Sequence, residues 1–336
     1  MGNKEPILDT VSGSPAAIAT PTRRHFLTCF AAAATGICGA MLRADGPPLR
    51  EPTIPGAKPG IHQPKIKLPP GATDCHAHVF GPQARFPYIA GAAYIPPDQT
   101  VDDYIRVLNS IGCSRAVLVQ PSVYGTNHAA MLEAMRSGKF NFRGVAVVSP
   151  TIRDHELEDL HAAGFRGIRI NAVSKNAGLP LEAAPRLAER IKPLGWHLQF
   201  FVNVPALEHI EQTLAKLPVN VVIDHFGLID CSAGLKSPGF QKLLRLLRHD
   251  HVWTKLSGPY HISRQSPLAP NVAPFAQKMA ETAPDRLLWG TDWPHPTAAW
   301  IPNDGDLPDM LLDWLPDNSL RNRVLVANPA MLYGFE

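Results

Sequence analysis

The chain has 336 residues, with 32 Lys+Arg against 29 Asp+Glu, a formal net charge of +3 and 45% hydrophobic residues. That length and apolar content are enough for one large domain with a substantial core. The charges are nearly balanced, and no basic tract or aromatic-basic alternation is present, which excludes a nucleic-acid-binding reading.

The N-terminus carries a twin arginine, Arg23-Arg24, directly before an apolar run over 26–42. The run is rich in alanine and broken by Thr28, Thr35, Gly36 and Gly39. A membrane span needs ~20 strongly apolar residues. Residues 1–44 therefore read as a twin-arginine export signal, with a periplasmic mature protein that keeps no membrane attachment. Residues 45–70 are rich in proline and glycine, lack apolar periodicity, and read as a linker or an arm lying on the surface. Residues 71–336 form the domain. Cys29 and Cys38 fall in the signal, and Cys75, Cys113 and Cys231 lack metal-type spacing.

Within the domain, the first strand is expected over 73–79. It contains His76 and His78, which share a face because side chains alternate along a strand. Thr100 then precedes a helix with Asp102 and Asp103 in its first turn, favourable against the dipole. Its apolar residues Val101, Tyr104, Ile105, Leu108 and Ile111 keep a helical period up to Gly112. Further strands are expected over 115–120, 144–148, 167–171, 197–202, 219–225, 252–257 and 286–292. Eight strands alternating with helices predict an α/β fold, a closed parallel (β/α)8 barrel of TIM type. An open doubly wound sheet is the competing architecture, but no glycine-rich phosphate loop follows a strand.

Chemistry in such a barrel sits at the C-terminal strand ends, and polar residues collect there. Strand one ends in His76 and His78, and strand two in Gln120 and Ser122. Strand four carries Arg169 and Asn171, strand six ends in Asp224-His225, strand seven has Lys255 and Ser257, and strand eight ends in Asp292. Repeated polar endings of this kind point to a catalytic mouth rather than to isolated structural histidines. Trp289 and Trp293 read as packing residues, Lys255 as an interior ion-pair partner, His128 as a cap or solvent-facing residue, and Arg166 as a structural ion-pair former.

Several segments carry a resemblance that spans the domain. They are Asp74-Cys75-His76-Ala77-His78-Val79-Phe80, Val119-Gln120-Pro121-Ser122-Val123-Tyr124-Gly125, Gly164-Phe165-Arg166-Gly167-Ile168-Arg169 and Asp224-His225-Phe226-Gly227. Lys255-Leu256-Ser257-Gly258-Pro259-Tyr260, Gly290-Thr291-Asp292-Trp293-Pro294-His295-Pro296 and the closing Asn328-Pro329-Ala330-Met331-Leu332-Tyr333-Gly334-Phe335 complete the set. In this order they resemble the amidohydrolase superfamily (amidohydrolase-related, family 2), and within it the 2-pyrone-4,6-dicarboxylate lactonases.

The resemblance implies a hydrolase that opens a carboxylated lactone without a cofactor. Asp292 would act as general base on water, with His76, His78 and His225 around the carbonyl oxygen as it becomes an oxyanion. Arg169 would hold a substrate carboxylate, and Ser122, Tyr94 and His295 fall where the family contacts substrate. Three positions depart from the pattern: Lys175 and His261 stand in place of arginines, and Phe201 in place of a tyrosine. These changes suggest fewer or differently placed carboxylates, unless Arg264 restores a contact. Typical metal-dependent relatives use a strand-five histidine, but the one here, His197, begins its strand at the wrong end of the barrel. One zinc on His76, His78, His225 and Asp292 is the alternative, in a zinc-dependent amidohydrolase or decarboxylase. An exported non-catalytic binding protein is a further one.

Overall fold

The computed structural model describes residues 49–173 and 179–336; the expected export signal and Lys175 lie outside the described residues. Eight short strands alternate with helices. They are β1 (Thr73–Ala77), β2 (Arg115–Val119), β3 (Asn141–Ala146), β4 (Phe165–Asn171), β5 (His197–Phe201), β6 (Val221–Ile223), β7 (Val252–Leu256) and β8 (Leu287–Trp289). They hydrogen-bond in sequence order as one parallel sheet, so the expected (β/α)8 barrel forms.

The helix expected after Thr100 spans Val101–Ile111 (α1). Thr100 and Asp103 form a reciprocal capping box, and Gly112 ends the helix in the left-handed region at φ 85°. Two apolar layers follow from strand alternation. Val117, Val119, Val145, Val222 and Leu288 form a cluster inside the barrel. Ala116, Leu118, Ile168, Ile170 and Leu198 pack outward with the helices.

The barrel closes between β1 and the chain just beyond β8. Asp292 N donates to His76 O at 2.8 Å, and His78 N to Trp293 O at 2.7 Å. Asp74 reinforces this seam. Its carboxylate accepts from Thr291 N (2.9 Å), Thr291 Oγ1 (2.5 Å), Tyr104 Oη (2.8 Å) and His76 N (3.1 Å). Burial pushes its carboxyl up to about 6, with these donors opposing.

Strands six and eight are shorter than expected, because His225 (φ 47°) and Asp292 (φ 61°) adopt left-handed backbone. Each strand stops so that these residues turn into the mouth. Such conformations cost energy in non-glycine residues and concentrate at functional sites. Cys75, Cys113 and Cys231 are buried and unpaired. Arg166 donates to the carbonyls of His161 (3.0 Å) and Phe165 (2.7 Å), taking backbone partners instead of the expected ion pair. His128 precedes helix α2 (Ala129–Arg136) without capping it; its Nε2 reaches Val147 O at 2.9 Å. No described helix is long and apolar enough to cross a membrane.

The seam leaves no room at Gly290, where an added Cβ would lie 2.7 Å from His76 N and 3.1 Å from Asp74 Oδ1. Gly290→Ala is expected to destabilise by about 1–3 kcal/mol through overpacking, measured by denaturant unfolding. Unchanged stability would contradict this account of the seam.

Candidate active site

A cavity of about 130 Å³ opens at the C-terminal face of the barrel, lined by His78, Tyr94, Ser122, Arg169, His225 and Asp292, with Phe201 and His261 also in its wall. A wider surface cleft of about 430 Å³ holds His128, Arg136 and Glu156, but its charged side chains are exposed or half-buried and none converges on a buried carboxylate. The chemistry therefore belongs to the smaller cavity.

Asp292 is its centre. Three imidazoles aim Nε2 at Asp292 Oδ1: His76 at 3.6 Å, His78 at 3.7 Å and His225 at 3.8 Å. The other carboxylate oxygen, Oδ2, accepts from Tyr260 Oη at 2.7 Å and lies 3.4 Å from His261 Nε2. Burial alone would push the Asp292 carboxyl up. His225, His261 and His76 outweigh that and hold it well below the usual carboxylate range.

The far ring nitrogens set the orientation of the histidines. His78 Nδ1 donates to Val119 O at 2.7 Å, and His225 Nδ1 meets Ser257 Oγ at 2.8 Å. His76 Nδ1 lies 3.2 Å from Lys255 Nζ. The same nitrogen lies 3.3 Å from Asp224 Oδ1, so the Nδ1 edge of His76 sits between an ammonium donor and a carboxylate acceptor. Burial lowers His78 and His225 to about 4 and pushes His76 well down, so all three are neutral near pH 7.

Beneath them lies a buried ionic network. Asp224 Oδ2 accepts from Arg169 Nε at 3.0 Å and Gln199 Nε2 at 3.1 Å, and its Oδ1 lies 3.5 Å from Lys255 Nζ. Lys255 also donates to Gln199 Oε1 at 2.7 Å. Burial pushes the Asp224 carboxyl up, but Lys255, His76 and Arg169 prevail and hold it well below its ordinary value. Arg169 stacks on Phe201, its guanidinium carbon 4.9 Å from the ring centroid. Among the described residues its terminal nitrogens carry no hydrogen bond, which leaves a fork facing the cavity. Gly258 (φ 58°) admits this crowding; a Cβ there would meet His261 at 2.8 Å and His225 Nδ1 at 3.0 Å.

The structure thus gathers His76, His78, His225, Asp292, Arg169, Ser122, Tyr94 and His261. His295 needs correction as a substrate contact. It is fully buried behind Tyr260, with Nδ1 3.2 Å from Tyr260 Oη and Nε2 3.0 Å from Asp304 Oδ1, so it supports Asp292 from outside the cavity. His76 is fully buried and lines no part of the cavity; it reaches the site through its contact with Asp292. Asp224, Gln199, Tyr260 and Asp304 are functional neighbours that sequence reasoning left out of the site. Lys255 is the interior ion-pair partner expected of it, and His197 is buried against Tyr333 (ring centroids 5.2 Å apart).

His76, His78 and Asp292 offer ligand atoms within 4.8 Å of one another, a nitrogen and oxygen set that suits zinc by type. The charge count opposes it: the two buried cations Arg169 and Lys255, both paired with Asp224, already equal the two carboxylates Asp224 and Asp292. A divalent cation would leave that buried charge uncompensated.

Residues 73–335 match the Amidohydrolase family. The chain belongs to the amidohydrolase family. It is 38% identical to a 2-pyrone-4,6-dicarboxylate hydrolase of Comamonas testosteroni, over 81% of this chain and 92% of that one. It is 33% identical to a 4-sulfomuconolactone hydrolase of Hydrogenophaga intermedia, over 84% of this chain and 95% of that one. Among solved structures, a "probable 2-pyrone-4,6-dicarboxylic acid hydrolase" from Acinetobacter baumannii with citric acid bound is similar at a TM-score of 0.70. It is 32% identical, with 79% of this chain and 100% of that chain covered. The chain is a hydrolase whose named relatives act on lactones.

Lys255→Met would leave Asp224 short of a cation. It is expected to cost about 3–5 kcal/mol, read by denaturant unfolding; a loss under about 1 kcal/mol would contradict the role given to this pair.

Proposed function

We propose that this protein hydrolyses an anionic lactone without a metal, using Asp292 as general base. The observation that carries the reading is the buried Asp292 carboxylate, ringed by three neutral imidazoles at 3.6–3.8 Å and opening on a cavity that also holds Arg169. The anionic substrates named for the two relatives, and the citric acid in the neighbouring structure, support an anionic substituent.

Water bound between Asp292 and the ring carbonyl gives its proton to the carboxylate as its oxygen attacks the carbonyl carbon. The carbonyl oxygen gains charge and accepts hydrogen bonds from imidazole N–H groups. His76 and His225 turn Nε2 toward this point, held at Nδ1 by Lys255 and Asp224 in one case and by the Ser257 hydroxyl in the other. The tetrahedral intermediate collapses, the acyl–oxygen bond of the ring breaks, and the departing ring oxygen takes the proton back from Asp292. The product is the open-chain carboxylate. Arg169 grips a substrate carboxylate end-on, because its Nε is engaged with Asp224. Phe201 contributes ring surface where a tyrosine hydroxyl would donate a hydrogen bond, and His261 presents a ring nitrogen where an arginine presents a fork of donors. The best substrate is therefore a lactone with fewer acidic groups than a pyrone dicarboxylate.

A zinc enzyme of the same family is the second reading, favoured by the convergence of His76, His78, His225 and Asp292. Zinc bound there would polarise the carbonyl and acidify water.

Asp292→Asn should lower kcat by about 10²–10⁴-fold on carboxylated lactones, scored with a pH indicator. Retained turnover would exclude Asp292 as the base. The acid limb of kcat/KM should lie near pH 4, where His78 and His225 protonate and Asp292 loses its ionised form below them. A limb near the ordinary histidine value of about 6.5 would contradict neutral, depressed imidazoles.

We further propose export through the twin-arginine route, on the strength of Arg23-Arg24 and the alanine-rich run after them. The protein should appear in a periplasmic fraction, and replacing both arginines by lysine should retain it in the cytoplasm. Equal fractionation of both forms would overturn the assignment.

A further inference from the structure

The irregular segment before the barrel is built into the active site's support. Two loops shape the cavity. One follows β1 and carries Tyr94; the other follows β8 and carries Pro296 and Thr297. The arm reaches both.

At the first loop, Thr53 N donates to Ile95 O at 2.8 Å, and Ile95 N donates back to Thr53 Oγ1 at 2.8 Å. This reciprocal pair fixes the residue next to Tyr94. On either side, Arg50 Nη1 donates to Ile89 O at 3.0 Å, and Ala57 N donates to Gln99 Oε1 at 2.8 Å. At the second loop, Asn303 clasps the arm: Asn303 Nδ2 donates to Gly60 O at 2.7 Å, and Asn303 Oδ1 accepts from His62 N at 2.8 Å. The fit is close, since a Cβ on Gly305 would lie 1.8 Å from His62 O. Asn303 adjoins Asp304, which holds His295, which meets Tyr260, which donates to Asp292.

We propose that the segment from Arg50 to Ile66 is a positioning strap for the reaction, one end setting Tyr94 over the cavity and the other bracing the support of Asp292. This rests on the lactonase reading for its kinetic expression, but not for its structural one. Tyr94 stands in the cavity wall beside Ser122, its hydroxyl pushed up to about 12 by burial, so it is a neutral donor whose placement decides how well a ligand is caught. The Thr53 end therefore acts on substrate capture, and the Asn303 end on the chemical step.

The test uses the full chain with Thr53→Val, which keeps the side-chain shape and removes Oγ1. Amide exchange around Tyr94 and Ile95 should quicken, and KM should rise about three- to tenfold, the worth of one hydrogen bond, with kcat within twofold. Thr53→Ser should restore both. Asn303→Ser should instead lower kcat more than it raises KM. Wild-type protein inactive on every carboxylated lactone would defeat the functional reading alone, and exchange around Tyr94 would then decide the strap. Unchanged exchange in Thr53→Val, or faster exchange with unchanged KM in an active enzyme, would overturn it.

Discussion

A carboxylate taken wholly out of water demands cations or donors around it, and Asp224 is where this barrel meets that demand. Arg169, Lys255 and Gln199 answer it, and each carries the solution outward. Arg169 is held flat on Phe201 with its fork toward the cavity. Lys255 and Asp224 together hold the Nδ1 edge of His76, so that its Nε2 faces Asp292. The polarity of the mouth therefore depends on an ion network one layer below it. Replacing that network with apolar residues of equal volume would preserve stability; what it would lose is the orientation of His76 and the aim of Arg169.

A second constraint is the seam between β1 and β8. His76 and His78 arrive on one side of it and Asp292 on the other, so the hydrogen bonds that close the barrel also set the distances between the carboxylate and the imidazoles. Asp74 belongs to this seam rather than to the chemistry, since all its partners are Thr291, Tyr104 and the backbone of His76. The left-handed turns at His225 and Asp292 then present both side chains to the same small volume.

Much of this was legible in the sequence. Strand alternation and βα spacing gave the barrel, and Thr100, Asp103 and Gly112 marked both ends of α1 because capping chemistry is local. His76, His78, Arg169, His225 and Asp292 were visible because strand ends in such a barrel share one face. Residues whose roles depend on distant partners were not. Tyr260 reads as a loop aromatic until Asp292 is placed against it, and Asp304 in Asn303-Asp304-Gly305 reads as turn chemistry until His295 reaches it. The resemblance pointed to His295 as a substrate contact, and sequence could not put Tyr260 between it and Asp292. The proline-rich arm lacked periodicity because its order comes from hydrogen bonds to two loops and from scattered apolar contacts at Ala57, Ile61 and Ile66 rather than from a periodic apolar face.

The central claim is that this site works through its own charges, without a metal. The most direct measurement is elemental analysis of purified protein, paired with turnover of a carboxylated lactone before and after exhaustive chelation. The account predicts sub-stoichiometric metal and undiminished turnover. Stoichiometric zinc, with activity lost on chelation and recovered on adding it back, would contradict the account and make the His76, His78, His225 and Asp292 cluster a metal centre.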